Sequence, residues 1–290
     1  MIKFLKEVFN HFFNSNTFQK GASLAYYAVF SLLPMIMIIS SILGIFFGKQ
    51  AVSGEMYAQI KGALGAEASM QIQDFIKNQH TNHNSVVTAI IGFATLALSA
   101  SGMFSQIHNS FNSIWSIKAK PKSSILRYVT KHLASFAILI LLFFIVLVST
   151  TVSSFLSKYA PTIHHAYKSL FIYEHIASIV VLSIIFTIMF KFLGDAIVRT
   201  KVALLGGIFT SVLYSFGKIG IGMYISHSHI TSTFGSASVL ALIMLWVYYI
   251  SQIIFLGASF VQILSIRTGC DILPNNNAVK IENIEIKHDS

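Results

Sequence analysis

Residues 236–266 read SASVLALIMLWVYYISQIIFLGASFVQILSI, with no charged side chain from Ser236 to Ile266. A helix needs about 20 apolar residues to cross the hydrocarbon of a bilayer. This run is long enough to cross and also to tilt or protrude. A membrane-spanning β-strand would alternate polar and apolar residues over about 10 positions. The run is continuous instead, so it reads as a helix.

Working outward, five more runs share this character: Ala22–Phe47, Val86–Ile107, Leu133–Leu156, His175–Phe192 and Val202–Ile225. The expected fold is an all-α membrane protein, a bundle of six transmembrane helices over residues 1–266. Composition agrees. Charged residues are 10% of the 290-residue chain and apolar residues 54%, with 25 Phe and 11 Tyr. Soluble domains carry roughly 25% charged residues. The first run is too long for a signal-peptide core of about 7–15 residues, so it reads as a retained span. The single cysteine, Cys270, allows no intrachain disulfide.

The charges set an expected orientation. Of the 20 Lys and Arg, fourteen fall on one side: Lys3, Lys6 and Lys20, the five between Lys118 and Lys131, the three from Lys191 to Lys201, and Arg267, Lys280 and Lys287. The opposite side holds Lys49, Lys61, Lys77, Lys158 and Lys168. The positive-inside bias then places both termini in the cytoplasm of a multi-pass inner-membrane protein. The net charge of +10 needs no nucleic-acid partner. Attraction to membrane lipids with anionic headgroups accounts for it.

In the first outer loop, Met56, Ile60, Leu64, Ala68, Ile72 and Phe75 or Ile76 recur at helical spacing between charged residues. They predict an amphipathic helix lying on the outer interface. The tail from Arg267 to Ser290 reads as a disordered cytoplasmic end. No internal repeat argues for an inverted-repeat transporter.

Three ordered blocks carry a family resemblance. The first runs from Phe18 through Gly21, Ala22, Ser23, Leu24, Ala25, Tyr26 and Tyr27 to Pro34. The second is Asn112-Ser113-Ile114-Trp115-Ser116-Ile117-Lys118. The third runs from Phe234-Gly235-Ser236 through Leu245-Trp246-Val247-Tyr248 to Gln252 and Leu256-Gly257-Ala258. Together they closely resemble the YihY/virulence factor BrkB family of bacterial inner-membrane proteins, formerly labelled ribonuclease BN. The resemblance implies six spans and an envelope role, sometimes linked to serum resistance. It also marks two departures. Ser215 and Ser259 stand where many members carry an acidic residue, so any coupling by those acids is in doubt here.

Among residues that could carry chemistry, Lys218 stands inside an apolar run. A lysine there costs about 2.5–3.5 kcal/mol at the bilayer centre, unless its stem snorkels to the headgroups. Ser211, Tyr214 and Ser215 precede it by seven, four and three residues on the same helical face. The sixth run carries a matching stripe of Tyr248, Gln252 and Ser259. These seven residues are the candidate substrate-binding set, against the plainer reading of helix packing and snorkelling. Gly206, Gly207, Gly217, Gly220 and Gly222 predict close helix approach. Pro34 predicts a kink in the first span.

Gln106, Asn109, Asn112 and Trp115 continue one face past the second span, with Trp115 read as an interfacial anchor and Asn112 capping or docking beside it. Asp195 reads as solvated next to Arg199. The outer histidines, including the pairs His80–His83 and His227–His229, read as solvated loop residues, so no metal site is expected.

No GxSxG, HExxH or CxxC motif occurs, and Gly217-Lys218-Ile219 lacks the context of a P-loop. Nor are carboxylates clustered for metal-dependent cleavage of phosphodiesters. The expectation is a protein that is not an enzyme and needs no cofactor. Its leading function is a transporter or lipid translocase for an anionic or amphipathic substrate. The alternative is a non-transporting envelope scaffold that presents the outer amphipathic helix to a partner.

Overall fold

Helices fill most of the residues described by the computed structural model, which are 2–31, 70, 101–120, 167–227, 238–276 and 278–281. In chain order they are α1 (Ile2–Asn14), α2 (17–31), α3 (101–114), α4 (Tyr167–Phe192), α5 (Thr200–His227) and α6 (Ser238–Arg267). Four short strands accompany them: β1 (Ile117–Ala119), β2 (Ala196–Ile197), β3 (Leu273–Pro274) and β4 (Ala278–Lys280). Pro34, the expected outer helix of Met56–Ile76 apart from Met70, the third span, and His80, His83, His164, His165 and His229 lie outside the described residues.

α5 and α6 cover, among the described residues, the apolar runs Val202–Ile225 and 238–266. Among the described residues, Thr200–Lys218 and Leu240–Arg267 are each long and apolar enough to cross a membrane, and Ser178–Phe192 forms a shorter apolar stretch. The fourth helix begins at Tyr167, eight positions before the expected start. Lys168 and Glu174 lower the hydropathy of its first turns, but helical backbone hydrogen bonds form regardless of what the side chains carry. The end of α6 is specified locally. Gly269 adopts φ 62°, Cys270 N–H donates to Ser265 O at 2.9 Å and Gly269 N–H to Ile266 O at 3.3 Å. This is the Schellman arrangement, in which a left-handed glycine caps the last carbonyls.

The fold divides into two units. One comprises Met1–Thr17, Ile107–Gly217 and Gln252–Ser290. Its core gathers Phe111, Ile114, Trp115, Phe190, Leu193, Phe255 and Val261, all essentially inaccessible. The rings of Phe111 and Phe190 lie 5.8 Å apart, and Phe209 stacks on Phe260 at 4.2 Å. Small residues let the helices approach. A Cβ at Gly207 would strike the Ser183 carbonyl and Thr187, one at Gly206 would strike Val261, and one at Gly257 would strike Thr210. Close approach through small residues is how helices associate where lipid supplies no hydrophobic drive.

α1 was not among the expected elements. Only Val8 and Phe12 of its residues are buried, so a search for spanning runs passes over it. It packs on the end of α6: the Phe4 and Phe260 rings meet edge to face at 5.3 Å, and the Arg267 guanidinium reaches Glu7 at 2.9 Å. That ion pair is exposed and contributes little. Burial lowers the pKa of His11, whose Nδ1 is buried without a hydrogen-bond partner. The neutral ring is therefore the favoured form.

The tail expected to be disordered is structured through Ile281. After the α6 cap it runs back as a strap, pairing β3 with β2 (Ile197 opposite Leu273) and β4 with β1 (Ile117 opposite Lys280), both antiparallel. Its low hydropathy misled the sequence reading, since the strap is held by backbone pairing and two buried side chains, Ile272 and Ala278.

The second unit comprises Phe18–Gln106 and Lys218–Ser251. Among its described residues, Leu24, Ala25 and Ala28 bury one face of α2, and Phe104, Leu242 and Ile243 are also buried. A Cβ at Gly102 would strike the Tyr27 ring.

The glycines of α5 are not equivalent, because a Cβ at Gly220 meets nothing within 4 Å. Gly207→Ala is expected to destabilise by about 1–3 kcal/mol through overpacking. Gly220→Ala is expected to be neutral, or stabilising by up to about 1 kcal/mol through helix propensity. Thermal unfolding in detergent checks both, and equal losses in the two variants would contradict this account of the packing.

Candidate functional site

The most elaborate polar arrangement among the described residues centres on Asp195, just after α4. The sequence reading left this carboxylate solvated beside Arg199. It is instead fully buried, while the Arg199 guanidinium lies 3.1 Å from Cys270 Sγ. Asn112 clamps Asp195 twice: its Nδ2 donates to Oδ2 at 3.0 Å, and its Oδ1 accepts the Asp195 N–H at 2.7 Å. Asn275 of the strap does likewise from the other side, Nδ2 donating to Oδ1 at 3.1 Å and its backbone N–H to the Asp195 carbonyl at 2.9 Å. His108 Nε2 stands 3.4 Å from Oδ2.

Local sequence makes this possible. His108 and Asn112 are four residues apart on α3, hence on one face. Gly194 leaves room beside Asp195, since a Cβ there would strike the Trp115 ring and Asn112 Oδ1. Trp115 is consequently not at an interface. It is fully buried, and its Nε1 donates to the Ala258 carbonyl of α6 at 3.1 Å. Ser116 takes φ 54° and turns the chain from α3 into β1. Buried carboxylates persist when their oxygens are hydrogen-bonded, and both oxygens of Asp195 are. The group therefore ties segments together rather than attacking a substrate.

The candidate binding residues fall into two sets. In the first unit, Ser211 is buried with its Oγ 2.7 Å from Ser183 Oγ. Ser215 Oγ donates to the Ser211 carbonyl at 2.8 Å, and the Tyr214 ring meets Phe186 at 6.3 Å. Gln252 Nε2 donates to the Thr17 carbonyl at 3.3 Å. Gln252 Oε1, Ser259 Oγ and Gln262 Oε1 are buried with no hydrogen-bond partner, and Ser259 is wholly inaccessible. Gln262 was missed by the sequence reading, although it lies three residues after Ser259 on the same stripe. In the second unit, Lys218 is exposed, and the Tyr248 carbonyl accepts from Ser251 Oγ at 2.6 Å. No group of three or more His, Cys, Asp or Glu able to hold a metal occurs among the described residues.

Two helices long and apolar enough to cross a membrane, packed through glycine, agree with the class that the family then shows, a membrane protein. The chain matches the family described as Virulence factor BrkB over residues 8–282, and it belongs to that family. Its relatives include a UPF0761 membrane protein of Saccharophagus degradans, 25% identical over 91% of this chain and 60% of its own length. Another, from Stenotrophomonas maltophilia, is 23% identical over 89% of this chain and 60% of its own length. A third, from Pseudoalteromonas atlantica, is 24% identical over 91% and 86%. The chain thus spans less than two thirds of the length of the first two. No solved structure matches it.

Asp195→Ala removes the side-chain acceptor of the buried Asn112 amide and of the part-buried Asn275 amide. It is expected to destabilise by about 3–5 kcal/mol, as breaking a buried charged cluster does. Arg199→Ala, at an exposed side chain, should change stability by about 0.5 kcal/mol or less. Comparable losses in the two variants, read by thermal unfolding, would put Asp195 back in solvent.

Proposed function

We propose that this protein is a multi-pass transporter or lipid translocase of the bacterial inner membrane, with both termini in the cytoplasm, that handles an anionic or amphipathic substrate. The observation that carries the reading is Lys218. It interrupts an apolar helix, it is exposed, and among the described residues it makes no ion pair or hydrogen bond. A cation in that position is costly, and an anionic headgroup or small anion offsets the cost. The apolar part of an amphipathic substrate stays in lipid meanwhile.

The buried oxygens of α6 support the same reading. An unpartnered polar atom in a dry interior costs about 1–3 kcal/mol. Gln252, Ser259 and Gln262 present three such atoms on one stripe, which suits a path that takes up water or a polar ligand during turnover. Ser211 and Ser215 spend their hydroxyls on backbone carbonyls of α5 and, for Ser211, on Ser183, so their part is to shape and pack α5.

Native mass spectrometry of the detergent-released protein, wild type beside Lys218→Met, tests the assignment. The expected result is an anionic lipid or metabolite that accompanies the wild type and is lost from the variant, while both insert and fold. Identical spectra without a specific adduct would remove Lys218 from any substrate site.

A further inference from the structure

A cavity of ≈ 380 Å³ opens where α3 ends and the strap returns, lined among others by Asn109, Asn112, Ser113, Ser116, Lys118 and Ile281. It lies within the first unit and is lined by none of the residues proposed for transport. The size falls within the range of small-molecule sites, about 300–1,000 Å³. Asn112 is committed to Asp195. The side chains of Asn109, Ser113, Ser116 and Lys118 make no hydrogen bond or ion pair among the described residues. One wall thus offers an amide, two hydroxyls and an ammonium, all able to donate.

The strands beside this wall carry basic residues, while the nearest carboxylate among the described residues, Asp195, is already occupied by Asn112 and Asn275. Lys118 on β1, Lys120 just after it and Lys280 on the paired β4 form a basic ribbon, and residues 117–120 and 278–281 contain no acid. The end of α3 would ordinarily repel an anion through its free carbonyls. Here two of those carbonyls are occupied, Phe111 O by Trp115 N–H and Ser113 O by Ser116 N–H, and Ser116 O in the turn beyond accepts from Ile281 N–H. Convergent neutral donors around a lysine suit phosphate, which presents several acceptor oxygens to a point charge. The cavity is larger than a bare phosphate needs, and Ile281 adds an apolar side.

We propose that this pocket binds the phosphate of a glycerophosphate-sized anion, with Lys118 supplying the charge and Asn109, Ser113 and Ser116 the hydrogen bonds. The phosphate belongs either to a phospholipid headgroup or to a free phosphomonoester. Two probes separate these sources.

The test is calorimetric titration of the full chain in neutral detergent with glycerol 3-phosphate and, separately, with dihexanoyl phosphatidylglycerol. Variants are Lys118→Met, Ser113→Ala and, as a control, the exposed Lys201→Met, with melting temperatures measured alongside. One equivalent of probe is expected to bind. Lys118→Met should weaken it about tenfold and Ser113→Ala about threefold, as losses of a charged and a neutral hydrogen bond. All titrations are run on the Lys218→Met background, which removes the site of the transport reading, and Lys201→Met should leave binding unchanged there, so failure here is separable from failure of that reading. Tighter binding of the lipid assigns the headgroup; equal or tighter binding of glycerol 3-phosphate assigns the free ester. Absence of binding by both probes overturns the proposal. So does binding that Lys118→Met and Ser113→Ala leave intact, or that Lys118→Met and Lys201→Met weaken alike.

Discussion

A carboxylate without access to water must be met on both oxygens, and Asp195 meets that condition with side chains drawn from two stretches remote from its own. Asn112 and His108 come from the end of α3, Asn275 from the strap, and Asp195 itself from the turn after α4. Removing any one leaves polar atoms buried and unpaired, which costs more than the bond itself gains. The position of the strap follows from this: with Asn275 fixed on Asp195, β3 falls beside β2 and β4 beside β1. The cavity beside Lys118 is bounded by the same strap, so it exists only while the carboxylate cluster holds.

Away from that cluster the packing problem is different. In a membrane protein, apolar side chains gain little by leaving lipid for one another, so contact between helices must come from shape and hydrogen bonds. Gly206, Gly207 and Gly257 supply the shape. Ser183 and Ser211 supply a contact between hydroxyls at 2.7 Å. Trp115 joins the two regimes, with its ring in the slot left by Gly194 and its indole N–H on a carbonyl of α6. Gln252, Ser259 and Gln262 obey neither rule, since each keeps a buried polar atom without a partner. Buried polar atoms without partners are uncommon in native interiors.

Hydropathy made the long helices legible, because a run such as Ser236–Ile266 has one stable form in a bilayer. The glycines of α5 were legible as packing residues at 206 and 207, though not at 220. Lys218 was visible as a cation in an apolar run. The Asp195 cluster was not, because its partners lie 83 and 80 positions away in sequence, and no local pattern marks a long-range pair. Trp115 misled for a related reason. A tryptophan at the end of an apolar run usually sits at the interface, and only the space left by Gly194 shows that this one turns inward. The tail misled because it is polar, yet its order comes from backbone pairing. α1 escaped because two buried residues in 13 do not resemble a span.

The family places this protein in a membrane without supplying a reaction, so the functional account rests on individual groups whose neighbours leave them unsatisfied. Everything said of the strap and the pocket beside it depends on Asp195 holding its three segments together. Amide hydrogen exchange of the full chain, wild type beside Asp195→Ala, addresses that dependence most directly. The account predicts that the amides of Asn275, Ala278 and Ile281 are protected in the wild type and lose protection together in the variant, along with the end of α3. A strap that exchanges freely in the wild type, or one that stays protected without the carboxylate, would contradict it.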